Sequence, residues 1–474
     1  MLNTNHDGIY NGRFPVLQDD DLPADAENVD HEIMLSSGAL SGTTAQFSRP
    51  VGADLLARTE GLNDWRETRA RHGVWQYARS LEGPPHPIAT VSDERGVKTR
   101  GVNFASQDYL SLSSHPAINE AAARALRDFG PHSAGSAVLL GNTRISLALE
   151  EAISQLLQME HVVLFPTGWG AAFGTIAALV RPDDHIVIDQ LAHASLRQGA
   201  TTATQNVVTT RHLDIAQTCC ALADIRRRDA VNGILVITEG LFSMDSDMPD
   251  LVLLQETCTA YGATLMVDVA HDLGAMGPAG TGRIGMQDML GKVDLVMGAF
   301  SKTFASNGGF LATRSHAVKQ YVKMFGGPHM FSNALSPVQA AVILECLTVV
   351  RSAEGDELRT DLMRNIHALR DAFTGYDLCC LGEPSPIVPV LIGSEKLSRL
   401  AGRLTFDQSV FANQVEFPGV PIGSSRFRMQ VMANHNVQHA KHAARVVKEA
   451  IDAAKCVLAG GDSLVKSKEE LSSS

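Results

Sequence analysis

The sequence predicts an α/β protein: a large domain on a mostly parallel sheet, followed by a small α+β C-terminal domain. Three observations carry this. Between about Pro116 and Val350, helical stretches alternate with five short apolar runs: HVVLF (161–165), HIVID (185–189), GILVITEG (233–240), TLMVDVA (264–270) and DLVMGAF (294–300). Nearly continuous apolar runs bounded by turn signals and separated by helices are the pattern of parallel strands covered on both faces. From 351 the pattern changes to a helix (ELRTDLMRNIHALRDAF), a Pro-rich strand (SPIVPVLIG), a strand (RFRMQVM) and a closing helix (VQHAKHAARVVKEAIDAA). The length, 474 residues, exceeds one small domain and suffices for a large core with a second unit attached.

Taken in chain order, residues 1–53 form an acidic extension (LQDDDLPADAENVDHE) with little apolar periodicity, expected to be flexible or loosely laid on the surface. Residues 54–115 read as an N-terminal arm: LLARTEGLNDWRETRARHG has helical spacing, LEGPPHP is turn-rich, and Val102–Ala105 is a short strand. Residues 116–350 are the large domain and 351–457 the small one. The tail 458–474, beginning near the two glycines of GGDSLVKSKEELSSS, is expected to fray.

Composition removes several classes of function. Hydrophobic residues make up 45% and charged residues 19%, a globular balance. The formal net charge is −12, with lysines and arginines scattered, which disfavours nucleic acid as a partner. The seven cysteines include two adjacent pairs, Cys219-Cys220 and Cys379-Cys380, and no CxxC, so they read as reduced thiols rather than metal ligands. No run of about 18 apolar residues occurs, and the N-terminus lacks a basic then apolar leader; the expectation is a cytoplasmic protein with no membrane span.

Ligands of parallel α/β sheets sit at the strands' carboxyl ends. Asp268 ends TLMVD and Lys302 follows DLVMGAFS, so both should project into one crevice. A carboxylate that keeps a pyridine nitrogen protonated, with a lysine amine that holds an aldehyde as an imine, is the pairing that pyridoxal phosphate requires. His271, three residues after Asp268, is within reach of such a cofactor's ring hydroxyl. The segment PTGWGAAFGT opens a helix after a strand, so the backbone N–H groups of Gly168 and Trp169 would favour a phosphate. His193 lies just past another strand end, where it could stack on the ring. Singly, each has a plainer reading: Asp268 as a helix cap, Lys302 as a solvated lysine, the glycines as packing residues, His271 and His193 as structural histidines.

From about Gly101 to Val447 the chain resembles the α-oxoamine synthases, a family of fold-type I pyridoxal-phosphate enzymes that includes 8-amino-7-oxononanoate synthase, serine palmitoyltransferase, 5-aminolevulinate synthase and 2-amino-3-ketobutyrate ligase. The resemblance rests on nine blocks in family order: VNFASQDYLSLSSHP, GPHSAGSAVLLGN…LALEE, LFPTGWGAAFGT, DQLAHASL, TEGLFSMDSDMPDL, LMVDVAHDLGAMG, GAFSKTFASNGGF, MFSNALSP and RFRMQVMANH. It implies an aspartate-aminotransferase-like large domain and a homodimer with shared active sites. It also implies that Lys302 carries the cofactor, Asp268 pairs with the pyridinium, His193 stacks over the ring, and His271 and Ser243 contact the ring hydroxyl. Gly168 and Trp169 would hold the phosphate, joined from the neighbouring subunit by Ser332 and Asn333. Arg426 matches the residue that holds the substrate carboxylate; Arg428 shares its strand face at period two, so spacing does not separate them.

The sequence also departs from the family. Ala299 stands where many relatives have a phosphate-binding threonine or serine, leaving Ser301 or Thr303 to compensate. Gln107 replaces an asparagine near the substrate carboxylate, Asp272 a small residue, and Ala137 an arginine. The implied reaction is a decarboxylative condensation of a small α-amino acid (alanine, serine or glycine) with an acyl thioester, on coenzyme A or a carrier protein, giving an α-amino ketone and carbon dioxide. DQLAHASL leans toward the alanine-using synthases, GVWQYARSLEGPP toward the palmitoyltransferases. The alternatives are an aminotransferase or aldolase on the same fold, or a catalytically silent synthase-like subunit.

Overall fold

The computed structural model describes residues 38–471, with side chains to residue 459. The large domain is built on seven strands: β4 (His161–Phe165), β5 (His185–Asp189), β6 (Val207–Thr210), β7 (Ile234–Glu239), β8 (Thr264–Asp268), β9 (Leu295–Ala299) and β10 (Gly309–Thr313). Their order across the sheet is β4-β10-β9-β8-β7-β5-β6. Strands β9, β8, β7, β5 and β6 pair in parallel, and β10 runs antiparallel to both its neighbours. All six residues of β7 are buried, as burial on both faces demands. The five apolar runs all form strands of this sheet. The sequence reading lacks β6 and β10, because VVTT is short and half-polar and GFLAT is led by two glycines, which weaken a strand signal.

The second sheet joins the two ends of the chain. Its strands are β1 (Ser80–Leu81), β2 (Ile88–Ser92), β3 (Lys98–Phe104), β11 (Ile387–Gly393), β12 (Val410–Val415) and β13 (Ser425–Gln430), in the order β1-β2-β3-β12-β13-β11. The arm thus supplies half the strands of this sheet, joined through the parallel β3–β12 pair. Gly101 permits this junction: a Cβ there would stand 2.1 Å from the Ser409 carbonyl oxygen.

The predicted flexible extension lies mostly outside the described residues, but its end is fastened from Gly38 onward. Arg399 donates to the carbonyls of Leu40 and Gly42, both at 2.8 Å. Trp65 Nε1 donates to Ser41 O, and Arg69, stacked 3.4 Å from the Trp65 ring centre, reaches the same carbonyl. Arg399 is itself bound to the buried Glu416, Nε to Oε1 at 2.9 Å. Arg399→Met is expected to strand the Glu416 charge and to destabilise the fold by about 3–5 kcal/mol, read from chemical denaturation. At the other end, helix Val437–Leu471 continues past the glycines at 460 and 461, where the sequence predicts a fraying tail; each glycine costs about 1 kcal/mol relative to alanine, without stopping the helix. Among the described residues no helix is long and apolar enough to cross a membrane.

Candidate active site

The carboxyl ends of β7, β8 and β9 open on a cavity of about 250 Å³, just under the roughly 300–1,000 Å³ usual for small-molecule sites. Asp268, the last residue of β8, and Lys302, in the loop after β9, both line it. Burial lowers the Lys302 amine below the ordinary lysine range and the nearby Arg428 charge lowers it further, while Asp268 opposes the shift. Burial raises the Asp268 carboxyl, with Lys302 and His193 pulling it back. Asp268 Oδ1 also accepts from Ala270 N at 2.9 Å, which fixes the carboxyl at the strand end.

One wall is the start of the helix Gly168–Leu179. Its N-cap Thr167 accepts from Gly170 N at 2.9 Å, which leaves the N–H groups of Gly168 and Trp169 directed out of the first turn. Gly168 is required by close packing: a Cβ there would lie 2.4 Å from Ala299 Cβ. The alanine at 299 therefore abuts the helix N-terminus. Of the two hydroxyls left to compensate, Ser301 lines the cavity, whereas Thr303 is buried against Gly274, whose Cβ would stand 2.7 Å from Thr303 Cγ2.

His193 caps the helix Ala194–Ala203, its Nδ1 accepting from Ser195 N, and its ring meets Trp169 edge to face at 6.0 Å. His271 is buried at the cavity floor and bound through Nδ1 to Tyr109 Oη at 2.9 Å. Burial first, then the charges of Lys302 and Arg428, hold its basicity well below the usual imidazole range, which favours the neutral ring. Lys302, Asp268, His193, His271, Gly168 and Trp169 thus converge on one cavity.

The remaining expected residues lie elsewhere. Arg426 does not face the cavity: it is ion-paired with Asp245 and donates to Met244 O at 3.0 Å. Arg428, two residues on along β13, is buried beside Tyr109, with Nε and Nη2 lacking protein partners. Its charge is felt by Lys302, His271 and His193. The resemblance implies Arg426 for the substrate carboxylate; here Asp245 occupies that guanidinium, while Arg428 keeps unpartnered donors. Gln107 and Ser243 are half-buried and outside the cavity lining. Asp272 is wholly buried behind the site, where its Oδ2 accepts from Arg283 N at 2.6 Å and burial raises the carboxyl to about 6. Ser332 and Asn333 lie on a loop bridged to Ser136 and do not line this chain's cavity. The sequence reading missed Tyr109, which stands two residues after Gln107, and Glu239, hidden as the polar end of an apolar strand.

A fold with this sheet order, and a lysine and an aspartate at adjacent strand ends beside a helix N-terminus, define the class: an aspartate-aminotransferase-like protein of pyridoxal-phosphate fold type I. Residues 99–447 match the family described as aminotransferase class I and II. Over 424 residues the chain is 30% identical to a serine palmitoyltransferase of Bacteriovorax stolpii, covering 90% of this chain and 96% of that one. It is 34% identical over 393 residues to an 8-amino-7-oxononanoate synthase of Trichlorobacter lovleyi, covering 81% and 96%. A solved serine palmitoyltransferase from S. paucimobilis, carrying a PLP–myriocin aldimine, aligns with a TM-score of 0.79 at 25% identity, over 85% of this chain and 100% of that one. The chain belongs to the α-oxoamine synthase family.

Proposed function

We propose that this protein binds pyridoxal phosphate at Lys302 and condenses a small α-amino acid with an acyl thioester, releasing carbon dioxide, the free thiol and an α-amino ketone. The observation that carries the reading is Arg428, a buried guanidinium with open donors whose charge acts on the cavity residues Lys302, His271 and His193. Buried cations are kept where an anion completes them, and a substrate carboxylate has the matching geometry.

The residues present fit the cofactor. The N–H groups of Gly168 and Trp169 and the Ser301 hydroxyl suit its phosphate, Asp268 its pyridinium, His271 its ring hydroxyl and Lys302 its aldehyde. When bound, it supplies an electron sink for the substrate's α-carbon. The protein does the rest. Arg428 orients the amino acid by its carboxylate. Lys302 Nζ, its basicity lowered by burial, takes the α-proton as a neutral amine and returns a proton at the end. His193 covers the site from the Ala194 helix end.

Arg428→Gln is expected to raise KM for the amino acid about ten- to a hundredfold, the worth of one charge-assisted hydrogen bond of roughly 1.5–3 kcal/mol. Arg426→Gln should leave that KM within about twofold, because its partner is Asp245 rather than substrate. Steady-state kinetics on the two variants separate the assignments.

The same reading includes a homodimer with shared sites. In support, Leu139, Leu140 and Phe331, all more than 80% exposed, flank the Ser136–Asn333 bridge and form an apolar face at the loop that carries Ser332. Ser332→Ala is expected to weaken cofactor retention. In heterodimers of Lys302→Ala with Ser332→Ala subunits, one site carries both lesions and the other neither, so about half of normal activity should return per heterodimer. Heterodimers without activity, or an active monomer, would count against shared sites.

A further inference from the structure

We propose that Glu239 is the positioning residue for His193, holding that ring over the cofactor site through the main chain. Glu239 ends β7 and lies directly beside Asp268 in the β7–β8 register. It is 3% exposed and lines the cavity. Its Oε1 accepts from the His193 backbone N–H at 2.6 Å. The His193 ring is then fixed at two further points, Nδ1 lying 2.8 Å from Ser195 Oγ and the ring edge meeting Trp169. Both of those contacts come from helix N-termini. The Glu239 contact ties the His193 main chain to the strand end that adjoins Asp268, so it fixes where the ring stands relative to Asp268.

A second carboxyl buried beside Asp268 is costly unless it holds a proton or a partner. Four groups face it: Asp268 from β8, Lys302 from the loop after β9, His193 from the helix N-terminus and Asp189 from the end of β5. Burial, then the Asp268 charge, push Glu239 well above the ordinary carboxylate range. Its bond to His193 needs only an acceptor oxygen, and a glutamine would make the same bond with its amide oxygen.

This inference rests on the cofactor reading above, and the test keeps the two apart. Equilibrium dialysis of the holoenzyme against graded pyridoxal phosphate, followed by visible absorbance, gives the cofactor dissociation constant of each variant. His193→Ala and Glu239→Leu, the latter chosen to preserve packing, are each expected to weaken retention about 3- to 10-fold, the worth of one ring contact. The double variant should be no weaker than His193→Ala alone, within about twofold, because Glu239 acts only through that side chain. Glu239→Gln should stay within about twofold of wild type. Losses that multiply in the double variant, or a glutamine as damaging as leucine, would overturn the assignment. Wild-type protein that takes up no pyridoxal phosphate would refute the cofactor reading itself, and this inference with it.

Discussion

Lys302→Ala is expected to abolish turnover. In the proposed reaction two functions fall to the same Nζ: the covalent anchor of the cofactor and the amine that moves the α-proton. Loss of the proton transfer alone costs about 10²–10⁴-fold in rate, and the lost anchor adds to it. Burial is what makes one amine serve both ends, since it favours the uncharged form that attacks an aldehyde and accepts a proton. Single-turnover assays with added pyridoxal phosphate measure this; a variant working at the wild-type rate would remove Lys302 from the mechanism.

Asp268→Asn is expected to have the next largest effect, about 10²–10³-fold in kcat, by analogy with removing one preorganised electrostatic partner. The amide is nearly isosteric, so Ala270 N keeps an acceptor and the strand end keeps its shape. What is lost is the negative charge that favours a protonated pyridine, and that charge matters most when electrons move from the substrate into the ring. The fall should therefore appear in kcat rather than in KM. A change confined to KM would make Asp268 a binding group.

How far the sequence anticipates this site depends on whether a residue's role is local. Asp268, Lys302, His193 and the Gly168–Trp169 turn are each marked by a strand end or a strand-to-helix junction, so their convergence follows from the carboxyl-end rule. Arg426 and Arg428 are alike at that level: same strand, same face, two residues apart. Only the distant Asp245, 181 residues away, distinguishes them by claiming the first. Glu239 was illegible for a different reason. In ILVITE it reads as the end of an apolar run, and its meaning depends on its parallel neighbour Asp268 and on the His193 N–H, neither of which periodicity reveals. The β3–β12 pairing is hidden in the same way, since 308 residues separate Val102 from its partner Val410.

The chain's departures from its family also gain physical reasons. Ala299 abuts Gly168, leaving Ser301 as the nearby hydroxyl on the cavity wall. Asp272 is buried behind the site, where it accepts from the first turn of Gly282–Met286, so it need not touch substrate.

The measurement that bears most directly on the proposed reaction follows free thiol and carbon dioxide together. Holoenzyme is mixed with a long-chain acyl-coenzyme A and with glycine, alanine or serine in turn. At least one amino acid is expected to release thiol and carbon dioxide in equal amounts, the ketone product to retain the amino nitrogen, and Lys302→Ala to release neither. Protein that binds pyridoxal phosphate yet converts these amino acids to keto acids without thiol release would contradict the proposed reaction and mark the chain as an aminotransferase.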